Sequence, residues 1–253
     1  VSDSLPSSEG LAVVVGVDGS RAALNAVRWA AAEAVDRDLP LRIVHVVASG
    51  GATDDGAADA ALLAAQNAAL ISTESVRAQR VQIIGRPEDI LLQESRHAAM
   101  VCIGARPRRA ADEPVVGRVA AALARASACP VAVIRSRTDG TAHTDGVISV
   151  VLSDDVGNDD VVHLAMHEGR LRGCVVRQID RRADSWVRRY PDVHVETVAA
   201  GSGHQFGWET DGHGDVGLAV VGAADADALP TLTMPNCHPI LGYPNCSLLL
   251  VRQ

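Results

Sequence analysis

At 253 residues and a formal net charge of −8, the chain has room for one large or two ordinary domains. As a whole it is too acidic to have a nucleic-acid backbone as its partner. Hydrophobic residues make up 47% but aromatics only 2%, so the core must be built from Val, Ile, Leu and Ala, as in a parallel sheet layered with helices.

No apolar run approaches the about 18 residues of a membrane span, and residues 1–10 lack the charged start and apolar stretch of a secretory leader. A cytoplasmic location without a membrane partner is expected. The five cysteines sit mostly within apolar runs, as in Val101-Cys102-Ile103, and read as reduced thiols.

The apolar run of residues 11–17 breaks at Asp18-Gly19-Ser20 and passes directly into an alanine-rich segment. There Ala23, Val27, Ala30 and Ala34 recur at helical spacing, and Ser20 can cap the helix. This is a buried strand turning into a helix at the carboxyl edge of an α/β sheet, where such folds bind ligands. The spacing then predicts a second strand over Leu41–Val47, a loop over Ser49–Asp59, a helix over Ala60–Ala78 and a third strand over Val81–Ile84. Pro87, after Gly85-Arg86, suits the first turn of a third helix. A fourth strand at Ala99–Gly104, a helix at Gly117–Ala128 and a fifth strand at Val131–Ile134 complete the first half. Alternating β and α elements imply right-handed crossovers and a doubly wound sheet.

The second half repeats this plan. Ile148–Leu152 with Ser153-Asp154-Asp155 echoes the first strand and turn, Leu218–Gly222 echoes Met100–Gly104, and Cys246–Arg252 echoes Cys129–Arg135. Three echoes in the same order indicate a tandem duplication: residues 1–137 and 147–253, joined through the polar stretch 138–146. Tyr190–Glu196 reads as the third strand of the second half. The Gly- and His-rich Gly201–Gly217 leaves its third helix stunted, so this half looks eroded.

The opening Val15-Gly16-Val17-Asp18-Gly19-Ser20 and the closing Cys129-Pro130-Val131-Ala132-Val133-Ile134 resemble the universal stress protein family, in its tandem form. The likeness covers residues 11–137 well and 147–252 weakly. All 23 basic residues are arginine, which with the abundant alanine fits a GC-rich, actinobacterial genome. The resemblance implies two flavodoxin-like, Rossmann-like five-stranded parallel sheets of strand order 3-2-1-4-5. It also implies ATP at the first sheet edge and association through the last strands, between halves or in a homodimer.

In nucleotide-binding members, strand four ends in Gly, two residues, Gly, nine residues, Gly and then Ser or Thr. Glycines let backbone N–H groups approach phosphate, the next helix offers its positive end, and the hydroxyl bonds a phosphate oxygen. Here Gly104 and Gly117 stand at the outer glycine positions, but Pro107 and Arg118 replace the second glycine and the hydroxyl. Proline has no N–H to give. Arg106, Arg108, Arg109 and Arg118 crowd the same loop, which reads either as a solvated basic segment or as a rewritten anion site. Asp18 resembles the carboxylate on the adenine or ribose side, and reads equally as a turn residue. Val46 resembles the apolar residue packed on the base, and Val17 and Val119 flank the same candidate site. In the second half Asp154 matches Asp18 and Gly222 matches Gly104, but Asp225 at the second glycine position repels phosphate.

Other constellations carry less. His163 and His167 lie one helical turn apart, but the Glu168 that follows is misplaced for a zinc protease, and a surface pair is expected. Cys237, His238, Cys246, His204 and His213 lack paired ligand spacing, so no metal is expected. Asp154, Asp155, Asp159 and Asp160 suit a helix start. No nucleophile elbow or catalytic Cys/His pair is present. The expected role is therefore a stress-response module acting by binding, on an unidentified protein partner and on ATP at most weakly. The alternative is an ATP-binding, slowly hydrolysing switch.

Overall fold

The computed structural model describes residues 11–48, 55–107, 116–151, 158–180, 190–199, 215–223 and 245–252. In the first half β1 (Ala12–Val17), α1 (Arg21–Asp36), β2 (Leu41–Val47), α2 (Asp55–Ser72) and β3 (Ala78–Ile84) follow in order. They are succeeded by α3 (Pro87–Glu94), β4 (Ala98–Ala105), α4 (Arg118–Ala126) and β5 (Val131–Arg135). The second half contributes β6 (Val147–Val151), α5 (Asn158–Arg172), β7 (Val176–Asp180), β8 (Val195–Ala199), β9 (Val216–Val221) and β10 (Ser247–Leu250).

The strands form one ten-stranded sheet in the order β3-β2-β1-β4-β5-β10-β9-β6-β7-β8. Each half is a parallel block of order 3-2-1-4-5 in its own count, and the two blocks are laid end to end. They join where β5 and β10 run antiparallel, with Leu249 opposite Ala132. Two five-stranded sheets associating through their last strands were expected; the pairing of β5 with β10 goes further and makes them one continuous sheet. The reason is physical: β5 and β10 are buried along their whole length, and an unpaired edge of that kind leaves backbone donors and acceptors unsatisfied.

Helices cover both faces. On one, α1, α2 and α5 pack on Val13, Ile43, Met100, Val150 and Leu218. On the other, α3 and α4 pack on Val14, Val44, Val101, Val133 and Leu248. Each core layer runs through both halves. Burying about one Leu or Val side chain is worth some 1.5–3 kcal/mol, so these layers hold the halves together as well as each half.

Several boundaries differ from the sequence reading; α2 starts at Asp55, inside the stretch read as a loop. β3 starts at Ala78, read as the end of the helix before it, and not at Val81, because Leu41, Arg42 and Ile43 of β2 pair with Ala78, Gln79 and Arg80. With α2 ending at Ser72, Thr73–Arg77 forms the connection. The third strand of the second half starts at Val195; before it the Val193 N–H donates to the Tyr190 carbonyl in a turn. Of the segment expected to hold a stunted helix, residues 201–214 lie outside the described residues, as do Asp154 and Asp225. The polar connection is ordered: the Asn25 side-chain amide on α1 donates to Ser136 Oγ at 2.9 Å and to the Gly140 carbonyl at 3.0 Å.

Candidate functional site

The strand order turns back on itself between β1 and β4, and the crevice beyond their carboxyl ends is where α/β sheets admit ligands. At the end of β1 the chain makes a tight turn. Gly19 takes a φ of +79°, Asp18 Oδ1 accepts the Ser20 N–H at 3.0 Å, and Ser20 Oγ accepts the Ala23 N–H at 3.2 Å as the α1 cap. The turn role of Asp18 is thus present, and its carboxylate is exposed. Val17 is buried, and its carbonyl accepts a hydrogen bond from His45 Nδ1 at 2.9 Å.

An open cavity of about 400 Å³ lies beside this turn, lined by Asp18, Gly19, His45, Val46, Ala58 and Ala61. It brings Asp18 and the half-buried Val46 together. Gly104, Arg106, Gly117, Arg118 and Val119 do not line it.

Gly104 has a packing role. A Cβ there would lie 2.3 Å from the Ala22 carbonyl carbon and oxygen and 2.5 Å from the Ala23 nitrogen. Only a glycine lets the first turn of α1 sit this close to β4. At the counterpart Gly222, among the described residues, a Cβ would meet only Val161 Cγ2, at an ordinary 3.4 Å. Arg106 is exposed, and its carbonyl accepts from Arg135 Nη1 at 3.0 Å. Pro107 is half-buried; Arg108 and Arg109 lie outside the described residues.

Gly117 caps α4 through its backbone alone, and among the described residues nothing lies within 4 Å of where its Cβ would be. Arg118 follows as the first helical residue, and the half-buried Val119 packs on the core layer beneath α3 and α4. Arg118 Nε stands 3.7 Å from Glu88 Oε1 on α3, and Arg86 Nη2 stands 2.6 Å from the same oxygen. A hydrogen bond from its own backbone N–H, and then Arg86, hold the Glu88 carboxyl below its usual range. Sequence reasoning missed Glu88. Its signal was present: an acid just after Pro87, in the first turn of a helix whose neighbour begins with an arginine. An anion arriving at Gly117 and Arg118 would have to compete with this carboxylate.

The universal stress protein family model matches residues 12–135. Universal stress protein Rv2624c of Mycobacterium tuberculosis is 31% identical over 262 residues, covering 95% of this chain and 96% of its own. The chain belongs to the universal stress protein family. Universal stress protein Rv3134c of the same organism is 34% identical over 278 residues, with 96% of each chain covered. Among solved structures, a universal stress protein from Archaeoglobus fulgidus aligns over 96% of both chains at 12% identity with a TM-score of 0.63, a likeness of fold. A universal stress protein solved in complex with cAMP covers 50% of this chain and 97% of its own, at 24% identity and a TM-score of 0.43.

In this universal stress protein chain the histidines of α5 do not act as a pair. The exposed His163 meets the Tyr190 hydroxyl, while His167 Nε2 lies 3.2 Å from Asp36 Oδ2 on α1. Glu168 beside them is fully buried. Cys102, Cys129, Cys174 and Cys246 are free thiols, and burial pushes Cys246 up to about 12, so it stays protonated and unreactive at neutral pH. Cys237, His238, His204 and His213 lie outside the described residues. No helix among the described residues is long and apolar enough to cross a membrane.

Proposed function

We propose that this universal stress protein binds an adenine nucleotide, ATP among them, weakly at the carboxyl edge of its first half. On this reading it works in the cytoplasm as a stress-response binding and interaction module rather than as a catalyst. The observation that carries the reading is that Asp18 and Val46 line one cavity at the carboxyl ends of the neighbouring strands β1 and β2, beneath the start of α2. A space of about 400 Å³ suits a nucleoside, with Val46 and the alanines of α2 as an apolar wall and the Asp18 carboxylate as acceptor for ribose hydroxyls.

The phosphate side explains why binding is weak. Pro107 offers no N–H, and a lost hydrogen bond to a charged group costs about 1.5–3 kcal/mol. Arg118 and Arg86 supply positive charge, but Glu88 already neutralises part of it. Gly104 is held by α1 packing, so β4 contributes little backbone to a phosphate.

Mass spectrometry of small molecules released from gently purified protein tests the reading. Adenine nucleotide at substoichiometric occupancy is expected. Its absence, together with no response to added nucleotide, would reject the site, and magnesium-dependent turnover would shift the assignment to a hydrolytic switch.

A further inference from the structure

A second concentration of charge lies inside the molecule, between the halves. Helix α1 carries Glu33 and is capped by Arg37, and α5 carries Glu168 and Arg172, at the same four-residue spacing. Both glutamates are fully buried. Arg37 Nη2 reaches Glu33 Oε2 at 3.1 Å. Arg172 crosses between helices: its Nη2 is 2.6 Å from Glu33 Oε1, its Nε is 2.8 Å from Glu168 Oε2, and its guanidinium stacks on the Trp29 ring. Glu33 therefore holds two guanidinium groups and Glu168 one. Glu168 Oε1 is buried with no hydrogen-bond partner, and its carboxylate, Glu33 and His167 present oxygen or nitrogen atoms within 4.8 Å of one another.

An ionised carboxylate oxygen left unpaired in the interior is costly, and two carboxylates at this separation cannot both ionise cheaply. We propose that Glu33 and Glu168 share a single proton, carried on Glu168, and that this proton makes the contact between the two halves respond to pH. A protonated Glu168 donates to Glu33, which satisfies the orphan oxygen and removes the repulsion. The proton belongs on Glu168 because Glu33 has the second arginine. Burial, and then the Glu33 charge, push Glu168 from 4.5 up to about 8.

The other groups facing the pair leave this assignment in place. From α1 these are Arg37 and Asp36, the latter engaged with His167; from α5, Arg172 and His167. From β4 comes Cys102, whose thiol burial holds protonated, and after α5 comes Cys174, also pushed up by burial. A dication is the poorer occupant, because Arg172 already lies within 2.8 Å of both carboxylates and would repel it.

The sign follows from linkage. The closed contact binds the proton more tightly than the opened chain does. The contribution of Glu168 is therefore complete below about 4.5, declines as pH rises, and is lost above about 8. Infrared difference spectroscopy and thermal unfolding against pH, on the full chain and on Glu168→Gln, test this. The parent is expected to show the carbonyl band of a protonated carboxylic acid at neutral pH, lost in the alkaline range and missing from Glu168→Gln. The parent's Tm is expected to fall relative to the variant across the same window. No such band in the parent, a band unchanged in Glu168→Gln, or parallel Tm profiles would overturn the proposal. So would a parent Tm raised by added zinc in a Glu168-dependent way. If Glu168→Gln does not fold, the alkaline titration of the parent's band decides alone.

Discussion

Arg135 of β5 and Ser247 of β10 meet at the seam between the halves: the Arg135 N–H donates to Ser247 Oγ at 3.0 Å, and that hydroxyl donates to the His143 carbonyl at 2.6 Å. One buried side chain thus satisfies two backbone groups from the other half and its connection. Arg135 also donates through Nη1 to the Arg106 carbonyl, so the seam is tied to the arginine loop of the candidate site.

Ser247→Ala is expected to strip both backbone groups of their partner. Each buried unsatisfied group costs about 1–3 kcal/mol, so urea unfolding should show a loss of about 2–4 kcal/mol in one cooperative transition. Two separate transitions, with only the second half destabilised, would show that the seam does not couple the halves.

Gly104→Ala places a Cβ against the Ala22 backbone, where no flexible side chain can give way. Overpacking of this kind costs about 1–3 kcal/mol. The variant should unfold at lower denaturant, whereas Gly222→Ala, which meets only ordinary contact among the described residues, should change stability far less. Equal effects would contradict the packing role assigned to Gly104.

Glu88→Gln removes the carboxylate that competes for Arg86 and Arg118. Nucleotide affinity should rise by about tenfold, or about 1.4 kcal/mol, with a steeper dependence on salt. Pro107→Gly with Arg118→Ser restores a backbone donor and a hydroxyl, two bonds worth together about 3 kcal/mol, or about 100-fold. That change also leaves Glu88 without Arg118, so the full gain is expected only when Glu88→Gln is added. Titration of the double and triple variants checks the order.

Much of the scaffold was legible because buried parallel strands are continuous apolar runs: β2 has the bounds its sequence suggests, and β1, β4, β5 and β9 lie within a residue or two of theirs. The edge strands were harder. β3 has no fully buried residue and opens with the exposed Gln79 and Arg80 after Ala78, so its first three residues carry no strand signal and Ala78 read as the end of the alanine-rich helix. The antiparallel union of β5 and β10 has no local signature, since an apolar run does not say which strand will lie beside it.

The places of Asp18 and Val46 at the ends of β1 and β2 were legible from the strand-end pattern. Glu88 was not, because its importance depends on α3 and α4 lying side by side. The pairing of Glu33 with Glu168 was not read from the sequence, although the matching Glu-to-Arg spacing on the two segments is there.

The most direct test of weak adenine-nucleotide binding in the first half is titration calorimetry with Mg-ATP on the parent chain and on Asp18→Ala. The parent should give a saturable isotherm with a Kd of about 0.1–1 mM, or about −4 to −5.5 kcal/mol, weakened at least about tenfold in Asp18→Ala. No binding by the parent, or an affinity that Asp18→Ala leaves unchanged, would contradict the assignment.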